Sequence, residues 1–106
     1  MCGQVKTIIS ELTALLRVEY GDRLVKLIVF GSEARGDADP DSDIDVMAVL
    51  KGPIDVGAEV SRVGQIRTDI SLRYGRLVSC IFMDESRFLT RNGPLLRNVR
   101  REGIAV

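Results

Sequence analysis

Residues 24–30 read Leu-Val-Lys-Leu-Ile-Val-Phe, a β-favouring apolar run broken only by Lys26, and Gly31 stops it abruptly. A short run of this composition is a largely buried strand. Everything else in the chain has to be arranged around it.

Before the run, Val5, Ile8, Ile9, Leu12, Leu15 and Leu16 recur at helical spacing, with Lys6, Ser10, Glu11, Thr13 and Arg17 on the other face. This predicts a helix over about residues 4–20 with Gly21 as its stop. After the run the chain turns polar over residues 32–42, and the Ala-Asp-Pro-Asp-Ser stretch at 38–42 reads as a turn into a second strand over residues 43–50. Beyond Lys51-Gly52-Pro53, the residues Val56, Val60, Val63, Ile66 and Ile70 mark the expected inner face of a helix over about residues 55–74, closed by Gly75. A third strand follows over residues 77–83. Asp84 or Ser86 caps a short helical turn through Phe88, and Pro94 opens a last helix that Gly103 closes. Helices alternating with strands predict an α/β or α+β fold, a small sheet of at least three strands with helices packed on it.

At 106 residues and 45% hydrophobic, the chain suits a single domain over residues 1–106. Fifteen basic residues balance fifteen acidic ones, so no net field attracts a polyanion, and nucleic-acid contact is not indicated. No apolar run reaches the roughly 18 residues that span a bilayer, and no basic-then-apolar leader opens the chain. Cys2 and Cys80 form no C-x-x-C pair, which argues against a zinc knuckle or a disulfide framework and for a reducing, cytoplasmic setting. With no histidine, imidazole catalysis and histidine-ligated zinc are excluded.

Chemistry concentrates between Gly31 and Asp45. Aspartates stand at alternate positions, Asp37, Asp39, Asp41, Asp43 and Asp45, and the last two enter the second strand. Side chains on a strand repeat every two residues, so Asp43 and Asp45 share a face that Met47 and Val49 continue inward. Two carboxylates about 4 Å apart repel by roughly 4 kcal/mol at an effective dielectric near 20. A divalent cation compensates that cost. Oxygen-only ligands select a hard ion, Mg²⁺ or Mn²⁺, which binds through one or two carboxylates plus substrate phosphates, and the implied substrate is ATP or another nucleoside triphosphate. Gly31 and Ser32, directly after a buried strand, offer backbone N–H groups and a hydroxyl to the phosphates.

Plainer readings stand beside these. Gly31 read alone is a turn glycine and Ser32 a helix N-cap, while Asp37, Asp39 and Asp41 read as a solvated loop. Arg35 either neutralises that loop or orients phosphate. Arg87, Arg91, Arg97, Arg100 and Arg101 read as an ordinary charged helix face, with docking of an acidic partner or RNA as the other reading.

Gly31-Ser32, Ala34-Arg35-Gly36, Ser42-Asp43 and Asp45 resemble the G-S-x-A-R-G, then S-D-x-D, signature of the minimal nucleotidyltransferases of the polymerase-beta-like superfamily. The resemblance implies a helix–strand core and a nucleotide site at Gly31, Ser32, Arg35 and Ser42. It also implies Asp43 and Asp45 as catalytic metal ligands for transfer of a nucleoside monophosphate, AMP first. Small relatives are often antitoxins paired with HEPN-domain RNases, which makes such a toxin an expected partner, alongside homo-oligomers. One departure stands out: active relatives carry a third acidic residue, metal ligand and base, on the next strand, where this chain has Gly75-Arg76-Leu77-Val78-Ser79. Ser79 shares its face with Leu77 and Ile81 and takes the third carboxylate's place. Asp69 and Asp84 read better as a solvated helix position and an N-cap. Two activities therefore stay open, nucleotide transfer to a protein or nucleic-acid hydroxyl and nucleotide binding by a weak or inactive protein that acts by contact.

Overall fold

A computed structural model describes residues 2–39 and 41–106. Helix α1 (Gly3–Tyr20) leads through a 3₁₀ turn into strand β1 (Leu24–Phe30), then the one-turn helix α2 (Ser32–Arg35) and strand β2 (Ile44–Leu50). Helix α3 (Val56–Tyr74) carries the chain to β3 (Val78–Asp84), followed by α4 (Glu85–Thr90), α5 (Pro94–Glu102) and the short β4 (Ile104–Ala105). The sheet order is β3-β2-β1-β4. β2 runs antiparallel to β1 and parallel to β3, the parallel pair requiring the long crossover that α3 supplies. The sheet is therefore mixed, as the alternation of elements predicts.

β2 lies between two strands and is covered on both faces, which explains its nearly continuous apolar sequence. Ile44, Val46, Ala48 and Leu50 join Leu27, Val29, Val78 and Phe82 beneath α1 and the Val63 and Ile70 positions of α3. Met47 and Val49 turn the other way with Ile28, under Phe88 of α4 and Leu96 and Val99 of α5. Asp45 shares that second face and lies at its polar end.

Several boundaries match the sequence reading. Gly75, in the left-handed region at φ +67, closes α3, and the Asp84 side chain caps α4 by accepting from the Arg87 N–H at 2.7 Å. Pro94 opens α5 and Gly103 ends it. Asp69 accepts from Gln65 on an exposed helix surface. Within the basic end, Arg100 donates to the Phe88 and Arg91 carbonyls and stacks over the Phe88 ring, and Arg101 binds Asn98 and Glu102. Pro40, within the expected turn at 38–42, lies outside the described residues. On either side of it, Asp39 accepts from the Asp41 N–H, and the Ser42 N–H donates to the Asp39 carbonyl.

Two expectations change, and a fourth strand falls within the expected count of at least three. Val56 and Val60 are 49% and 44% exposed rather than core, because the buried stripe of α3 runs through Glu59, Val63 and Ile70. Glu59 is buried by a polar cluster: its carboxylate accepts from the Tyr20 hydroxyl at 3.0 Å and from Arg23 at 3.3 Å, with Arg62 alongside. Arg23 and Arg62 also lie over the Tyr20 ring, and burial and the Glu59 charge push the Tyr20 phenol up. The polar stretch after Gly31 contains α2, with Gly31 as N-cap and Ser32 as the first helical residue rather than the cap. Finally, β4 adds a fourth strand on β1, its pairing extended by the Val106 N–H donating to the Leu27 carbonyl.

Replacing Glu59 with alanine should lower stability by about 1–3 kcal/mol, since a buried phenol and two half-exposed guanidinium groups lose their acceptor. Arg23→Ala should cost less than about 1 kcal/mol. Urea denaturation of the three proteins measures the difference.

Candidate functional site

Phe30, the last residue of β1, pairs with Asp45 on β2. The next residue, Gly31, therefore turns the chain directly beside the Asp45 side chain. Its φ is +74, and a Cβ built there would lie 2.5 Å from Asp45 Oδ2. Glycine is required twice over, for the backbone conformation and for the space. α2 begins at Ser32, so the N–H groups of its first turn have no acceptor within the helix. Gly36, in the left-handed region at φ +81, ends the turn, its N–H and that of Asp37 both donating to the Ser32 carbonyl.

Asp43, exposed just ahead of β2, and Asp45, half-buried within it, lie close enough for their charges to interact. Burial pushes the Asp45 carboxyl up from the ordinary carboxylate range, and the Asp43 charge adds to the effect, while Arg35 opposes it. A carboxylate so disfavoured is one that a cation would relieve. The donor set is two carboxylates with no thiol or imidazole, which suits a hard divalent ion sharing its shell with phosphates. Among the described residues no cluster of three or more acidic, cysteine or histidine side chains forms.

β3 runs parallel to β2 with Ser79 paired to Asp45, and the Ile44 N–H donates to the Leu77 carbonyl at the start of the pairing. Ser79 thus faces the same side as Asp45. Leu77 lies ahead of the strand and is 66% exposed. Beside Asp43 and Ser79 opens a groove of about 490 Å³, walled by Arg67, Thr68 and Ser71 of α3 and by Leu77.

Arg35 pairs with Asp37 at 3.2 Å and with Glu102 at 3.3 Å, tying the loop to α5. Asp37, Asp39 and Asp41 are exposed, and the Ser42 side chain bonds back to Asp39. Two residues absent from the sequence reading hold the segment in place. Glu33 is 6% exposed and its carboxylate accepts from Arg76 at 2.6 Å, while the same Arg76 nitrogen donates to the Ser42 carbonyl at 2.8 Å. Arg76 thereby joins α2 to the residue before Asp43, and its Nε is buried with no partner among the described residues. The only sequence signal was a glutamate inside an otherwise small-residue turn, with nothing to connect it to an arginine 43 positions away.

Known proteins resemble this chain in sequence and in fold. The family model described as a nucleotidyltransferase domain matches residues 6–104. A protein of Methanocaldococcus jannaschii, provisionally named a protein adenylyltransferase, is 35% identical over 96 residues, spanning 90% of each chain. Among solved structures, a toxin–antitoxin crystal structure with AMP-PNP superposes with a TM-score of 0.62 at 16% identity, covering 89% of this chain and 68% of the other. A tri-AMPylated Shewanella oneidensis HEPN toxin in complex with its MNT antitoxin gives 0.62 at 15% identity, over 94% and 69%. At these identities the structural likeness is one of fold.

Gly31→Ala should cost stability about 1–3 kcal/mol, through the positive φ and the displaced Asp45 carboxylate, as read by urea denaturation. Asp45→Asn should do the reverse and raise the melting temperature of the metal-free protein at pH 7. Because the folded-state pKa is raised, the folded protein holds this proton to higher pH than the unfolded chain does. Stability therefore falls as pH rises from the ordinary carboxylate value through the folded one, and the cost is complete above it. The gain from Asp45→Asn should vanish as the pH is lowered below the carboxylate range.

Proposed function

The chain belongs to the nucleotidyltransferase domain family, and we propose that it binds a metal–nucleoside triphosphate, ATP first, at residues 31–45 and transfers AMP to a protein hydroxyl. The observation that carries this reading is the contact between Gly31 and Asp45, which sets a bare backbone turn against a charge-disfavoured carboxylate. The adenylyltransferase name of the M. jannaschii relative supports AMP as the transferred group.

In this reading Gly31 and Ser32 hold the phosphates through first-turn N–H groups and the Ser32 hydroxyl. Asp43 and Asp45 hold Mg²⁺ or Mn²⁺. When bound, the ion supplies neutralisation of the triphosphate and polarisation of the α-phosphate. Arg35, beside the acidic loop, adds positive charge near the phosphates, and Ser42 fixes the loop that delivers Asp43. The buried Glu33–Arg76 pair keeps both halves of the segment in register before any ligand arrives. A HEPN-domain protein is the partner that the S. oneidensis complex suggests.

A second reading has its own observation, Ser79 opposite Asp45. A serine hydroxyl is a weak ligand and a poor base, and loss of a general base typically costs about 10²- to 10⁴-fold in rate. Such a protein would bind nucleotide and act on its partner by contact.

Calorimetry should detect ATP binding that requires Mg²⁺ and is lost in Asp43→Asn and in Asp45→Asn. Undiminished binding in both variants would remove these aspartates from the site. Incubation with labelled ATP, Mg²⁺ or Mn²⁺ and a HEPN-domain protein, read by mass shift, should give slow transfer by the wild type. Ser79→Asp should raise it by about tenfold or more. Fast wild-type transfer that Ser79→Ala leaves unchanged would mean that the site needs no third carboxylate at this strand position.

A further inference from the structure

We propose that the groove between the C-terminal half of α3 and the start of β3 is the acceptor site. Its occupant is a protein segment that carries an acidic side chain close to the hydroxyl to be modified. The proposal rests on the nucleotidyl-transfer reading above and adds to it where the acceptor enters and what recognises it.

Direction comes from the sheet. Displacement at phosphorus runs in line: the acceptor oxygen bonds to the α-phosphorus, the bond to the α–β bridging oxygen breaks, and pyrophosphate leaves on the opposite side. The hydroxyl proton passes to water or to the Asp43 carboxylate. β2, which carries Asp45, lies between β1 and β3. The phosphate turn at Gly31 and Ser32 extends from β1, so pyrophosphate departs on the β1 side. The acceptor then has to approach from the β3 side. The groove of about 490 Å³ opens at that edge of the sheet, against the face that α3 covers, with Asp43, Val78 and Ser79 in its lining and Asp45 outside it.

Recognition comes from Arg67. Of the three arginines on α3, Arg62 pairs with Glu19 and Glu59, and Arg73 pairs with Glu11. Arg67 is half-buried, and among the described residues it has neither a carboxylate within ion-pair distance nor a side-chain hydrogen bond. A partly desolvated guanidinium without a counter-ion favours a planar carboxylate, which it can bind through two parallel hydrogen bonds. Thr68 and Ser71 add hydroxyls to the same wall, and Leu72 and Leu77, 80% and 66% exposed, give it an apolar edge. One cation and an apolar edge suit a peptide with a single acidic side chain held at Arg67, away from Asp43. A nucleic-acid strand would need several cations and would meet repulsion at Asp43.

The test uses the full chain with MgCl₂ and a non-hydrolysable ATP analogue, and reads fluorescence anisotropy. The probes are a short labelled peptide with one tyrosine flanked by leucine and aspartate, the same peptide with asparagine for aspartate, and a labelled oligouridylate with a free 3′ hydroxyl. The aspartate peptide should bind best, and Arg67→Glu and Thr68→Glu should each weaken it about tenfold or more. Arg67→Lys should retain most of the binding. Nucleotide affinity, titrated separately, should be unchanged in all three variants. The proposal is overturned by a peptide that does not bind, by binding indifferent to both substitutions, by preference for oligouridylate, or by Arg67→Glu weakening the nucleotide instead. If the wild type fails to bind the nucleotide at all, the transfer reading itself fails and this proposal with it.

Discussion

The Asp45 carboxylate fills the space that a side chain at residue 31 would need, and the rest of the site follows from that contact. It exists because β1 and β2 pair with Phe30 opposite Asp45, so that the first residue beyond β1 turns over the carboxylate. The same contact keeps a charged oxygen partly out of water, next to a second carboxylate at Asp43. A fold carries such a cost at a place where a ligand relieves it. The buried faces of β2 hold the pairing in register, since a slip of one residue would carry Asp45 to the face beneath α1 and α3.

Much of this was legible in the sequence because the signals were local. The apolar run at 24–30 gave β1 with its observed bounds, and Gly75 and Gly103 gave helix ends. What stayed hidden depends on partners far along the chain. Val56 and Val60 fit the helical period of Val63 and Ile70, yet Glu59 takes the buried place, where Tyr20, Arg23 and Arg62 make a buried glutamate tolerable. Arg76 carries no local signal of burial. Its burial requires Glu33 and the Ser42 carbonyl to converge on it, a convergence that no spacing encodes. β4 is too short for a periodic signal and exists through pairing with β1.

Strand order divides the site into two sides. The crossover through α3 makes β2 and β3 parallel neighbours, which sets Ser79 beside Asp45. The phosphate turn lies on the β1 side of the carboxylates, and the groove with Arg67 lies on the β3 side. In the proposed reading the nucleotide is held on the first side and the acceptor enters from the second, with Ser79 between them.

The central claim is that Asp43, Asp45 and the Gly31 turn form one metal–triphosphate site. Crystals grown with Mn²⁺ and a non-hydrolysable ATP analogue test it most directly, since Mn²⁺ is located by its anomalous scattering. The account predicts an anomalous peak within coordination distance of both the Asp43 and Asp45 carboxylates, with the β- and γ-phosphates against the Gly31 and Ser32 N–H groups. A triphosphate bound elsewhere, or Mn²⁺ held without either aspartate, would contradict it.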